Sequence, residues 1–277
     1  MITPDNPPSP TETPQRARRP RPPPPIPAVA MQLLQQMQDP RVTAGDISRL
    51  IGLDPSLTIS LLRLVNSPFF GMCRQVASVS DAVMVMGMGA VRRVVLSLAV
   101  TDSLRGANID THFAREQWRH YVSCAALARQ LIDDNAAAAE LAFTAGLLHD
   151  MGQVHLLQLH GDAYVQLHAS AAAAGIDVRV LEIKHFGHAH DTLGAELLES
   201  WGLPQAIADA ARKHDATPPL TGLTREQQAV WAAHRLTLAP DDAEQVIALC
   251  PDRLAPPEQA IELARAEIET LMNLLST

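Results

Sequence analysis

The stretch FTAGLLHDMGQVHLL, from Phe143 to Leu157, holds one adjacent polar pair, His149–Asp150, inside an apolar helical run. Any fold that buries the run must also bury the pair. An ionised carboxylate taken from water without a partner costs several kcal/mol or shifts its pKa. Two outcomes are open: the two side chains satisfy each other and nearby groups, or they bind a metal ion. The apolar pattern predicts a helix from Ala136 to Asp150, with Gly152 stopping it and a further helix from Val154 to Ala173.

The remainder of the chain reads as helix. Of 277 residues, 47% are hydrophobic and only 4% aromatic, with Leu, Ala, Val and Met dominating. That mixture favours packed helices over sheets, and no alternating strand pattern persists. Asp54–Pro55 supplies an N-cap and a first helical residue for Ser56 to Asn66. Ser80 is expected to cap a short helix ending near Gly87, followed by an apolar helix from Ala90 to Leu104. Cys73, Cys124 and Cys250 show no CxxC spacing and fit reduced thiols in a cytoplasmic protein. No secretory signal is expected, nor a membrane span, since the apolar stretch Val83–Val91 is short and ends at Arg92–Arg93. The net charge of −8 argues against non-specific nucleic-acid binding.

Three segments are expected. Residues 1–25 form a disordered Pro/Arg-rich tail, since eleven of the 21 prolines fall in residues 1–27. Residues 26–107 form an N-terminal helical subdomain, and residues 108–277 a helical bundle with C-terminal helices. Residues 44–66 have the outline of a helix-turn-helix. Their second helix is apolar apart from Arg63, so packing is expected rather than DNA reading. Phe69 and Phe70, in a Pro/Gly-containing loop, are expected partly exposed or docked on a partner. Arg92–Arg93 would contact an anionic partner or pair with acidic neighbours. His185, His188, His190 and Asp191 read as either a polar loop or a ligand cluster, and no HExxH is present.

Several phrases in one order resemble the HDOD (HD-related output domain) family of bacterial signalling proteins. They are Asp54–Pro55 before LLRLVNSPFFG, the Val76-x-Ser78-x-x-x-Ala82 step, Gly87, Trp118-x-His120, GLLHD, FGHAHDTLGAELLESWGLP and Lys213–His214. The resemblance covers roughly residues 26–240. It implies an all-α fold in which the N-terminal helical subdomain packs on a degenerate HD-type bundle. It places His120, His149, Asp150 and His234 at the metal positions of HD phosphohydrolases, with His190 and His214 matching further histidines of the cyclic-di-GMP phosphodiesterase branch. His234 stands where that pattern usually has Asp, and the branch's Gly-Tyr-Pro signature is absent after His214. Loss of an anionic ligand weakens hard cations and moves preference towards Fe, Zn or Ni, with Mn a further candidate. The expectation is a non-catalytic regulator with no cofactor, acting through contacts with signalling proteins. The alternative is a metal-dependent phosphohydrolase acting on a nucleotide or cyclic dinucleotide.

Overall fold

The computed structural model describes residues 28–36, 39, 41–66, 75–105 and 111–272; the expectations for the 1–25 tail, Phe69 and Phe70 lie outside these residues. Fifteen α-helices and no strand occur among the described residues, which is the all-α architecture expected.

The first five helices are α1 (Ala28–Gln36), α2 (Ala44–Gly52), α3 (Pro55–Val65), α4 (Val79–Met86) and α5 (Met88–Arg105). Their ends follow from local chemistry. Thr43 and Asp46 form a reciprocal capping box on α2, and Asp54 accepts from Ser56 and Leu57 N–H with Pro55 in the first turn of α3. The cap of α4 is Ser78, not Ser80, because the Ser78 hydroxyl reaches the Asp81 N–H and Ser80 already lies within the helix. Asn66 ties α3 to the segment before α4. Its side chain donates to the Leu62 and Val76 carbonyls and accepts from Val76 N–H at 2.7 Å.

The larger set comprises α6 (Thr111–Gln130), α7 (Ala136–Leu148), α8 (Met151–His160), α9 (Asp162–Ala174), α10 (Val178–Phe186), α11 (His190–Ser200), α12 (Gln205–Lys213), α13 (Arg225–Leu238), α14 (Ala243–Ala248) and α15 (Pro257–Met272). The larger apolar core runs through both sets, from Val29 and Leu61 to Leu148, Trp231 and Leu271, and a smaller one gathers Leu156, Leu157, Tyr164 and Leu193. Helix α6 packs against α7, α13 and α15, and α8 packs against α11. Trp118 is fully buried and its indole N–H donates to the Leu271 carbonyl, fixing α6 to α15.

Two expectations about the central run are corrected. Gly152 does not stop a helix; it sits in the first turn of α8, and the break falls at His149–Asp150 instead. Glycine is required at 152 by packing: a Cβ there would lie 1.9 Å from the His190 carbonyl oxygen, where α8 meets α11. The single helix predicted from Val154 to Ala173 is two, divided at Gly161, whose φ of 51° takes the chain out of the right-handed helix.

Arg93 bonds to Glu140 and to Glu267 (Nε–Oε1 2.7 Å), and Arg129 holds the other Glu267 oxygen at 2.8 Å. Of the two outcomes left open for this pair, Arg93 takes the pairing with acidic neighbours and so joins α5 to α7 and α15. Arg92 is half-buried. No single described helix is long and apolar enough to cross a membrane, although the bent pair Val79–Met86 and Met88–Asp102 passes a test of length and composition together.

Candidate metal centre

The chain bends at His149–Asp150, and the bend points both side chains into the interior between α6, α11, α12 and α13. His149, Asp150, His190, His214 and His234 are buried, and His120 is half-buried. All six residues named from the sequence converge, together with Asp215, in overlapping groups with ligand atoms within 4.8 Å of one another. His185 and His188 remain exposed on the surface.

Hydrogen bonds fix which ring nitrogen faces inward. His149 Nδ1 lies 2.7 Å from the Gly146 carbonyl, which can only accept, so Nδ1 carries the proton and Nε2 presents a lone pair. His214 is held the same way, with Nδ1 at 2.6 Å from the Ala211 carbonyl. The Thr237 hydroxyl donates to the His234 carbonyl at 2.7 Å, so its oxygen accepts from His120 Nδ1 at 3.0 Å. Glu182 accepts from His190 Nδ1 at 2.8 Å, from His190 backbone N–H at 2.8 Å and from Tyr164 O–H at 2.5 Å. His234 Nε2 faces Asp215 Oδ1 at 3.3 Å, leaving Nδ1 as its inward atom.

The inward nitrogens then confront one another. His120 Nε2, His149 Nε2 and His234 Nδ1 form a triangle with sides of 3.2, 3.1 and 3.3 Å. Asp150 Oδ2 stands 3.1 Å from His149 Nε2 and 3.6 Å from His120 Nε2. Three lone pairs and a carboxylate oxygen repel unless a cation or a proton lies between them. A tetrahedral ion with bonds of about 2.0–2.1 Å separates its ligands by about 3.3–3.4 Å, which matches this set.

Asp150 Oδ1 faces a second group: it lies 3.4 Å from His190 Nε2 and 3.2 Å from His214 Nε2, which are 3.3 Å apart. Asp215 Oδ2 lies beside that group, 3.6 Å from His214 Nε2 and 3.9 Å from His190 Nε2, and forms a third group with His214 and His234. Neither Asp150 oxygen accepts a well-formed hydrogen bond, although four imidazole nitrogens surround it. The donor set thus fits two divalent ions sharing Asp150, one with three nitrogens and one oxygen, the other with two nitrogens and one oxygen, while Asp215 groups with His214 and His234. Mixed imidazole and carboxylate ligands suit Fe, Zn, Ni or Mn.

Electrostatics agree with that arrangement. Burial works to raise Asp150, but the charges of His149 and His214 hold it well below the ordinary carboxylate value. Asp215 is likewise lowered: burial opposes its charge, and the His234 hydrogen bond, His214 and Arg179 outweigh burial. Burial, then the neighbouring His149 and His234, hold His120 well below the usual imidazole range. Burial brings His234 down to about 4, against the Asp215 hydrogen bond that raises it. His149 goes the other way: burial opposes its charge, but Asp150 and then Cys124 raise it well above its ordinary value. Without a cation, the proton that relieves the triangle belongs on His149.

Asp215, Glu182, Tyr164 and Thr237 escaped the sequence reading. Asp215 did leave a signal, because the His–Asp doublet occurs three times, at 149–150, 190–191 and 214–215. Asp191 is the odd one out, turned to Arg179 at 3.4 Å. Above the two groups opens a cleft of about 860 Å³, with Arg119 and Arg265 among its lining residues.

The family of this fold is shown by direct comparison. The HDOD domain matches residues 24–217, so His234 lies beyond the matched span. An uncharacterized protein of Treponema pallidum (strain Nichols) is 26% identical over 190 residues, which are 68% of this chain and 36% of that protein; the match thus spans about a third of the relative. Two crystal structures share the fold. An HDOD domain protein of unknown function from Geobacter sulfurreducens superposes with a TM-score of 0.72 at 22% identity, covering 91% of this chain and 92% of its own. A protein of Shewanella amazonensis SB2B described as a candidate phosphohydrolase superposes with a TM-score of 0.74 at 20% identity, covering 93% and 95%. With its family match spanning both helical sets, this chain belongs to the HDOD domain family.

Proposed function

We propose that the chain is a metal-dependent phosphohydrolase of the HD type. The observation that carries this reading is the aim of Asp150: each of its two oxygens faces a different group of imidazole nitrogens. A regulator that had lost its chemistry would have no reason to keep five buried imidazole and carboxylate groups at ligand spacing, because buried unpaired polar groups are destabilising. The expectation of inactivity rested on the family resemblance, on the missing Gly-Tyr-Pro signature and on His234 replacing an anionic ligand; against the last of these, Asp215 supplies a carboxylate beside His214 and His234.

Divalent ions held there would neutralise phosphoester oxygens and provide a water of lowered pKa. The chain's own residues do the rest. Glu182 and the Gly146 and Ala211 carbonyls hold three imidazoles in the ligating tautomer. Asp215 Oδ1 accepts the His234 Nε2 proton. Arg119 and Arg265 offer cations at the cleft wall to a phosphate.

Turnover of bis(p-nitrophenyl) phosphate by the purified chain with Mn²⁺ or Fe²⁺ tests the proposal. A metal-dependent rate that falls at least about 100-fold in His149→Ala is expected. No turnover from metal-loaded protein would overturn it.

A second reading, a non-catalytic signalling domain acting through protein contacts, draws on a different surface. Leu53 and Met84 are 71% and 70% exposed, and Ile59 and Val85 are also exposed, on the N-terminal helices. The guanidiniums nearest the centre, Arg179 and Arg235, are both turned to Asp215 at 3.7 Å. If substitution of Leu53 and Met84 abolished signalling output while His149→Ala did not, this reading would replace the first.

A further inference from the structure

Helix α10 buries a charged residue and exposes apolar ones. Glu182 is its one fully buried side chain, whereas Val180 and Ile183 are 57% and 56% exposed. A buried carboxylate is costly without a counter-charge. Among the described residues no guanidinium or ammonium pairs with Glu182, and its ion-pair contact is His190. Both Glu182 oxygens accept, Oε1 from the Tyr164 O–H and Oε2 from His190 Nδ1 and backbone N–H, the pattern of a carboxylate rather than of a carboxylic acid. The backbone bond falls at the start of α11, where Ala189 supplies no side-chain cap. Glu182 therefore also fixes the helix end that carries His190.

The other imidazoles have weaker backing. The Gly146 and Ala211 carbonyls and the Thr237 hydroxyl behind His149, His214 and His120 are neutral. Asp215 faces His234 Nε2 at 3.3 Å, but Arg179 and Arg235, each at 3.7 Å, offset its charge. A carboxylate bonded to a ligating imidazole raises the ring's basicity towards the ion. Asp150 serves both groups, so its charge cancels in the comparison. The triangle of His120, His149 and His234 has one nitrogen more, yet affinity for hard divalent ions follows ligand charge. Glu182 places its charge behind the second group alone. Burial strengthens that attraction, since His190 and His214 are both buried whereas His120 is half-buried.

We propose that Glu182 is a positioning residue that makes the group of Asp150, His190 and His214 the tighter of the two ion sites and the first to fill. The inference rests on the ligand groups that the phosphohydrolase reading employs and adds how they are regulated. Metal supply then sets whether the chain holds one ion or two, and the triangle of His120, His149 and His234 is where the second ion completes the centre.

Calorimetric titration of the metal-free full chain with Mn²⁺ tests this. Two steps separated by about tenfold or more in affinity are expected, with the tighter step kept in His234→Ala and missing in His190→Ala. Glu182→Gln, which keeps the shape and an acceptor but not the charge, should weaken the tighter step by about 10–100-fold and leave the other in place. Tyr164→Phe separates charge from packing: it removes a donor from Glu182 but keeps the bonds to His190, so the tighter step should stay at least as tight. Steps of equal affinity, a tighter step that survives His190→Ala, or a gap unmoved by Glu182→Gln overturns the proposal. So does a Tyr164→Phe variant that closes the gap as fully as Glu182→Gln, because packing would then be the cause. Separated steps in a chain that hydrolyses no phosphoester would leave this inference standing and remove the phosphohydrolase reading. Turnover from a chain whose two steps are equal would do the reverse.

Discussion

Asp150→Asn is expected to release both metal ions together. The change is isosteric, so the bend between α7 and α8 is retained, but the side chain common to both groups loses its charge. Asp150 Oδ2 faces His149 and His120, and Oδ1 faces His190 and His214. Changing a residue that hydrogen-bonds a metal ligand costs about 10–100-fold in affinity, and loss of a shared anionic ligand should exceed that at both positions. Substitutions that touch one group give the contrast: His234→Ala should remove one ion, and His190→Ala the other. Elemental analysis after dialysis against a weak chelator measures all three. Retention of one ion by Asp150→Asn would show that the aspartate is not shared.

The second large effect is structural. Gly152→Ala places a methyl group 1.9 Å from the His190 carbonyl oxygen and 2.8 Å from the Gly194 backbone nitrogen. Both obstacles are backbone, so no rotamer change relieves the clash, and α8 and α11 must move apart. Overpacking of this kind costs about 1–3 kcal/mol, occasionally more. At about 2–4 °C per kcal/mol for a domain of 150–250 residues, thermal unfolding should fall by about 2–12 °C. Because α11 begins at His190, metal affinity should weaken in the same variant. A melting temperature within a degree or two of the unsubstituted protein would contradict the close approach.

The helical class was legible because apolar residues recur at helical spacing through most of the chain, and caps such as Asp54–Pro55 declare themselves locally. Convergence of His120, His149, Asp150 and His234 was reached through family resemblance, since sequence separations of 29 and 85 residues carry no metal signature. Gly152 misled because glycine ends many helices, whereas here it answers to a neighbour, His190, that is remote in sequence. Asp215 was passed over for a similar reason. It lies in a polar segment after α12, and only the packing of α11, α12 and α13 turns its oxygens towards His190, His214 and His234. Position 234 was read as the loss of a charge because one residue was weighed alone. The centre's charge is instead a property of the whole cluster, with Glu182 behind His190 and Arg179 and Arg235 beside Asp215.

The most direct test is the metal content of the untagged chain, reconstituted with Mn²⁺ or Fe²⁺ and freed of loosely held ions. Two ions per chain is the predicted result, since each oxygen of Asp150 faces its own group of ligands. One ion, or none, would contradict the shared centre.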